Sequence, residues 1–346
     1  MTDYTIKNSL TDAQVTVIMA VYNSCKTLNR AIDSVLNQSY SQWKLICVND
    51  GSTDNSIDIL NQYADLDNRI KVVSKSNGGP ALARSMAFNM IETPYTIILD
   101  SDDMFSPDLL ENCINKAIKT HADAIVPNAL IEQADGSYMN WNTRFKIDTS
   151  KCLNGVEAFS KTFIHASMHG LNLWKTDLVK KYGIIKNSAT LSLNEDEYIQ
   201  RLLFLHSQTI HFTSNGFYIY KYNDNSITKS FSISHLGYLH TCKRLIALSE
   251  DTEYPIADEL KAHIKENYFR AIIALQIRYE KYKNNLNLKD RIHFKEVIKT
   301  NYIKSLAYKS NYQFKDKKYP QFYRLSSTNG YFIFRLTCFL FSHLKK

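Results

Sequence analysis

Glycine is scarce in this chain, at 10 of 346 residues, and proline scarcer at 6. The first expected strand-to-helix turn, Tyr22-Asn23-Ser24-Cys25-Lys26, contains no glycine. That argues against the GxGxxG dinucleotide fingerprint and the GxxxxGK[ST] phosphate loop, because both need glycine where the backbone approaches a phosphate. The six cysteines, Cys25, Cys47, Cys113, Cys152, Cys242 and Cys338, show no CxxC spacing. A zinc knuckle and a disulfide scaffold are therefore not expected, and a reduced cytoplasmic setting is. Long hydrophobic runs are also missing. Segments 15–22 and 331–341 fall short of the ~20 residues that span a bilayer, and the polar stretch 1–14 does not read as a secretory signal.

What is present is ordinary globular composition, 44% hydrophobic and 22% charged, with an uneven charge distribution. The last 96 residues hold 19 basic and 9 acidic side chains, a net +10, whereas the first 250 carry −2. A slightly acidic working domain with a basic appendage that favours an anionic surface is the physical reading. The basic residues are dispersed along helices without a recognised module, which argues against a nucleic-acid partner.

From residue 15 to about 126, β-branched runs alternate with helical patterns, the mark of βα units and a mostly parallel sheet. Strands are expected at 15–22, 43–49, 69–74, 95–99 and 124–130, and helices at 26–37, 55–63, 81–90 and 107–120. Asp54 is placed as the N-cap of the second helix, and Ser106 or Asp108 as the cap of the fourth. Segment 133–150 reads as an irregular loop. Helices follow at 155–163 and 175–182, then an acidic helix start at Asn194-Glu195-Asp196-Glu197 and two apolar strands at 209–213 and 217–222. Beyond residue 232 the pattern is helical and basic. The expected domains are 1–230, α/β, and 231–346, helical.

The strand ends carry Tyr22, Asp50 and Asp100-Ser101-Asp102-Asp103, at the edge where open α/β sheets bind ligands. Three carboxylates within four residues repel one another unless a cation joins them, and hard oxygen donors suit Mg²⁺ or Mn²⁺.

At these residues the chain resembles glycosyltransferase family 2, the inverting enzymes of GT-A fold, over about residues 13–230. The resemblance rests on Val15-Thr-Val-Ile-Met-Ala-Val-Tyr-Asn23, Val48-Asn-Asp-Gly-Ser-Thr-Asp54, Asn77-Gly-Gly-Pro-Ala-Leu-Ala-Arg84, Leu99-Asp-Ser-Asp-Asp103 and Asn194-Glu-Asp196. It implies a Rossmann-like sheet with helices on both faces, and a nucleotide-sugar donor contacted by Ala20, Tyr22, Asp50, Arg84, Asp100 and Ser101. It also implies a metal held by Asp102 with Asp100, and Asp196 as the base that takes the proton of an acceptor hydroxyl. Glu195 would orient the acceptor or brace a loop. Trp174, His165 and His169 would line the acceptor side, with core packing the other reading of Trp174. Lys221 or Lys229 would stand where the family's late Tyr-x-Tyr-Arg motif has arginine.

By resemblance the donor is a UDP-hexose or UDP-N-acetylhexosamine and the acceptor a glycan or lipid-linked sugar of a bacterial surface polysaccharide such as capsule, exopolysaccharide, lipopolysaccharide or teichoic acid. A nucleotidyltransferase and a non-catalytic sugar-nucleotide-binding protein remain the other classes. For the aromatic segment 331–341 three readings stay open: a peripheral membrane contact, a subunit or partner interface, and a helix packed on its own domain.

Overall fold

The computed structural model describes residues 15–164, 171–185, 195–222, 231–311 and 330–344. The chain divides into two compact units, one made of Met1–Ala189 with Ile199–Asn223, the other of Thr190–Tyr198 with Asp224–Lys346.

The first unit is built on a nine-stranded sheet. Its opening half alternates strand and helix: β1 Val15–Val21, α1 Leu28–Leu36, β2 Trp43–Asn49, α2 Ser56–Leu66, β3 Ile70–Ser74, α3 Pro80–Phe88 and β4 Tyr95–Ile98. Then come β5 Met104–Phe105, α4 Leu109–Thr120, β6 Ala124–Glu132, β7 Tyr138–Asn140, α5 Trp141–Phe145, α6 Gly155–Ile164, β8 Leu173–Lys175 and α7 Thr176–Leu178. Helix α7 runs on into a π-helical turn at Val179–Gly183; α8 Glu195–Leu205, of which residues 195–198 belong to the second unit, and β9 Ile210–Tyr220 follow. The strand order is β3-β2-β1-β4-β8-β6-β9-β5, with β7 paired to β6.

Period-two alternation explains the layers. Val15, Val17, Met19 and Val21 of β1 join one core with Leu28, Ile32 and Val35 of α1 and Leu110 and Ile114 of α4. Ile18 of the same strand joins the opposite core, with Ala83 and Ala87 of α3, Trp174 and Phe204. Helices thus cover both faces, and the strands read as near-continuous apolar runs.

The expected mostly parallel sheet holds for β3-β2-β1-β4, whose pairings are all parallel. The remainder is mixed, because β8 enters antiparallel between β4 and β6. The two strands expected at 209–213 and 217–222 are one strand. β9 pairs parallel with β6 throughout, but the register jumps from Val126↔Phe212 to Asn128↔Phe217. Pro127 stands at that jump, where a residue without an amide proton is tolerated, and the extra residues of β9 bulge through Gly216 at φ 76°. Segment 133–150, expected to be irregular, contains β7 and α5.

The second unit is helical. It contains α9 Gly237–Glu250, α10 Asp258–Tyr282, α11 Leu288–Ser305 and α12 Gly330–Leu344. Its core is aromatic, with Tyr279 stacked on Phe294 at 4.4 Å and Tyr302 against Phe334 at 4.4 Å. Among the described residues no helix is long and apolar enough to cross a membrane.

Candidate active site

The loops at the carboxyl ends of β1, β2 and β4 are stitched together by short polar side chains. Ser24, after β1, hydrogen bonds Ser101 hydroxyl to hydroxyl at 2.7 Å, and Thr27 Oγ1 donates to the Ser101 carbonyl at 2.9 Å. The Cys25 amide donates to Asp54 Oδ2 at 3.1 Å, and the Thr53 amide to Asn23 Oδ1 at 2.8 Å. Partial burial opposes ionisation of Asp54, but hydrogen bonds from Ser56 and Cys25 prevail and bring its carboxyl down to about 2. The residue at the N-cap of α2 is Asn55, without a side-chain cap bond, so Asp54 braces the β1 loop as well as the first helical amide, that of Ser56 at 3.0 Å.

Asp50 is 2% exposed and its carboxylate is engaged by the chain itself. Oδ1 accepts from Lys75 Nζ at 2.6 Å and from the Gly78 amide at 2.9 Å, and Oδ2 accepts from the Gly79 amide at 2.7 Å. It therefore fixes the turn that opens α3. Gly51 beside it needs to be glycine: its φ is 72°, and an added Cβ would lie 2.8 Å from the Asn77 nitrogen. Tyr22 is half exposed directly after β1, and Ala20 lies two residues earlier on that strand.

Helix α3 links this turn to the acidic one. Just over one turn of helix on from Gly79, Arg84 donates from Nη2 to Asp100 Oδ1 at 2.6 Å. The side chains are 14% and 34% exposed, so the pair is partly open to solvent. Arg30 of α1 donates from Nη2 to the Asp102 carbonyl at 2.5 Å.

Asp103 points inward. Its Oδ2 accepts from Tyr218 Oη at 2.9 Å and its Oδ1 from the Lys221 amide at 2.9 Å, while the Asp100 amide donates to the same Tyr218 oxygen at 3.1 Å. Burial first, and then the charge of Asp100 and of Asp102, push the Asp103 carboxyl up to about 8. Arg30, Lys75 and Tyr218 carried no motif by which spacing could have found them; each is brought to the site by tertiary structure.

Among the described residues no three His, Cys, Asp or Glu side chains converge into a ready metal cage. The donor set nevertheless fits a hard divalent cation, which commonly takes one or two carboxylates and completes its shell with substrate phosphate and water. Asp100, Asp102 and Asp103 bring three carboxylates into four consecutive residues of this turn, hard oxygen donors that suit such a cation.

Other expectations are corrected. Trp174 is 3% exposed and packs on Phe204 at 4.9 Å between β4 and β6, so it is a core residue and does not line an acceptor surface. Lys221 is paired with Glu132 and with Tyr138 Oη at 2.9 Å, which ties β9 to the β6–β7 hairpin. Asp108 occupies the N-cap position of α4 without a side-chain cap bond; it accepts instead from Ser106 Oγ at 2.7 Å and Asn112 Nδ2 at 3.0 Å. His165, His169, Asn194 and Lys229 lie outside the described residues.

The acidic triplet Glu195-Asp196-Glu197 forms the first turn of α8, where the helix dipole favours negative charge. Glu195 is buried and accepts twice from Arg244 Nη1, at 2.6 and 2.7 Å, which makes it a brace to α9. Asp196, next to it, is exposed. Asp50, Arg84, Asp100, Ser101 and Asp102 are thus gathered in the first unit, and Glu195 and Asp196 belong to the second.

The family model described as "Glycosyl transferase family 2" matches residues 16–183. The glycosyltransferase GlyA of Streptococcus pneumoniae is 26% identical over 269 residues, covering 73% of this chain and 37% of its own length. A putative teichuronic acid biosynthesis glycosyltransferase of Bacillus subtilis, TuaG, is 43% identical over 98 residues, covering 28% of this chain and 39% of its own. The chain therefore spans less than two fifths of the length of either relative. The crystal structure of residues 1–349 of Staphylococcus aureus TarS with UDP-GlcNAc superposes with a TM-score of 0.68 over 94% of this chain and 89% of that one, at 16% identity. The fold is accordingly GT-A-like with a helical carboxyl-terminal region. The matched residues 16–183 hold the parallel half of the sheet and the acidic turn at its edge, and over them the chain is similar to glycosyltransferase family 2.

Proposed function

We propose that this protein is an inverting glycosyltransferase that moves a sugar from a nucleotide-sugar donor, a UDP-hexose or UDP-N-acetylhexosamine, to a hydroxyl of a glycan or lipid-linked acceptor in bacterial surface-polysaccharide synthesis. The observation that carries the reading is the acidic turn Asp100–Asp103, held between Arg84, Arg30 and Tyr218 at the carboxyl edge of the parallel strands. The UDP-GlcNAc bound to the TarS neighbour and the teichuronic acid biosynthesis of which the Bacillus relative's name speaks support the donor and the pathway.

In this reading Tyr22 and the loops after β1 and β2 receive the base and ribose, and Asp50 acts by holding the turn at Gly78-Gly79. Asp102, with Asp100, would hold Mg²⁺ or Mn²⁺, which when bound neutralises charge on the diphosphate. Arg84 fixes the Asp100 carboxylate and adds positive charge at the same edge. Asp196 accepts the proton of the acceptor hydroxyl as that oxygen bonds to the anomeric carbon. The bond from the anomeric carbon to the diphosphate breaks in the same displacement, the nucleoside diphosphate leaves, and an α-linked donor gives a β-linked product. No covalent sugar–enzyme intermediate is required.

The test is product identity across a panel of UDP-, GDP- and dTDP-sugars with Mn²⁺ or Mg²⁺. Release of free nucleoside diphosphate from one donor, abolished by Asp102→Ala, is the expected result. Pyrophosphate release would assign a nucleotidyltransferase, and tight donor binding without turnover in the presence of candidate acceptors would assign a binding protein.

A further inference from the structure

Helix α12 is apolar on two faces. Its inner face, with Phe334 and Cys338 fully buried, packs on α10, and Tyr331 Oη donates to the Lys295 carbonyl of α11 at 3.3 Å. A helix on the surface of a globular unit needs one such face and normally covers the other with polar groups. Here the outer face presents Phe332, 78% exposed, with Ile333, Leu336 and Leu340 at 38%, 46% and 50%. At helical spacing these four side chains fall within an arc of about 100°. The helix contains no acidic residue.

Charge decides what fits this stripe. The last 96 residues carry a net +10. The neighbouring α11 turns Lys295 and Lys299 to solvent on the same side as its exposed Leu288 and Ile292. A second copy docking through this face would set like charge against like charge. An anionic bilayer accommodates both properties, apolar side chains below the headgroups and lysines against the phosphates.

We infer that α12 lies in the plane of an anionic membrane leaflet, with Phe332, Ile333, Leu336 and Leu340 inserted at the boundary between headgroups and acyl chains. This would hold the protein at the surface where lipid-linked acceptors reside. It does not depend on the proposed sugar transfer, because it is read by binding alone.

The test is flotation of the full chain with vesicles of phosphatidylglycerol and phosphatidylcholine, compared with phosphatidylcholine alone, for wild type and the double variant Leu336→Glu/Leu340→Glu. Wild type is expected to float with the anionic vesicles, weakly with the neutral ones, and less as salt rises. The double variant is expected to bind about tenfold or more weakly, with an unchanged unfolding midpoint. Should the glutamates unfold the helix, Phe332→Ser at the most exposed position carries the same expectation. Wild type that ignores anionic vesicles, or a folded variant that floats equally well, would overturn the inference. A wild-type dimer that the variant converts to monomers would overturn it as well, by giving the stripe to a second copy.

Discussion

Tyr218 joins the two ends of the acidic turn: its hydroxyl donates to Asp103 Oδ2 at 2.9 Å and accepts the Asp100 amide at 3.1 Å. The ring is fully buried against Phe105 at 5.6 Å, so the hydroxyl is set by packing and in turn sets the carboxylates. Tyr218→Phe keeps the packing and leaves two buried polar groups without that partner, at a cost of about 1–3 kcal/mol. Denaturant unfolding is expected to show that loss, and kcat for diphosphate release is expected to fall by roughly tenfold as the turn loosens.

Gly51 gives a second handle. Gly51→Ala places a Cβ against the Asn77 backbone at a φ of 72°. The expected effects are a stability loss of about 1–2 kcal/mol and a raised KM for donor with a smaller change in kcat, because the turn that Asp50 holds must shift. Calorimetry and initial rates at varied donor check this.

Glu195 and Arg244 form a charge pair in which the carboxylate is 4% exposed and the guanidinium 26%. Arg244→Met removes both guanidinium hydrogen bonds to that carboxylate and is expected to cost about 2–3 kcal/mol, scaled down from a fully buried pair by the partial exposure of arginine. Arg244→Met combined with Glu195→Gln is expected to recover much of the loss. A double-mutant cycle in urea measures the coupling; additive single losses would remove the brace.

Acid stability has a defined source at Asp123. Its partial burial works against ionisation, but Lys175 Nζ at 2.8 Å and the amides of Gln208 and Thr209 at 2.7 and 3.2 Å hold its carboxyl below the usual range. A depressed folded value contributes stability that is fully present above the unfolded value, near ~4, and is lost as pH falls through the folded one. Asp123→Asn is expected to be less stable than wild type by roughly 1–2 kcal/mol at neutral pH, and the gap is expected to close in acid. Thermal unfolding across pH 2–7 checks it.

Much of the site was legible because its residues are local in sequence. Asp50 and Gly51, Gly78 and Gly79, and Asp100 to Asp103 each sit within one loop, so spacing alone placed them at strand ends. What stayed hidden was tertiary. Tyr218 reaches the acidic turn from 115 residues away, and no periodicity announces that. Trp174 was legible as an aromatic, but its burial depends on β8 entering the sheet antiparallel, which a strand of three residues does not reveal. The two expected strands at 209–222 merged because a bulge opposite Pro127 imitates a turn.

The proposed role of Asp196 is to remove the proton of the acceptor hydroxyl. The most direct measurement is the rate of nucleoside diphosphate release by Asp196→Asn at saturating donor, metal and acceptor, with donor affinity measured in parallel. A loss of turnover by about 10²-fold or more with donor affinity retained is the predicted result. Turnover at the wild-type rate in Asp196→Asn would contradict the account.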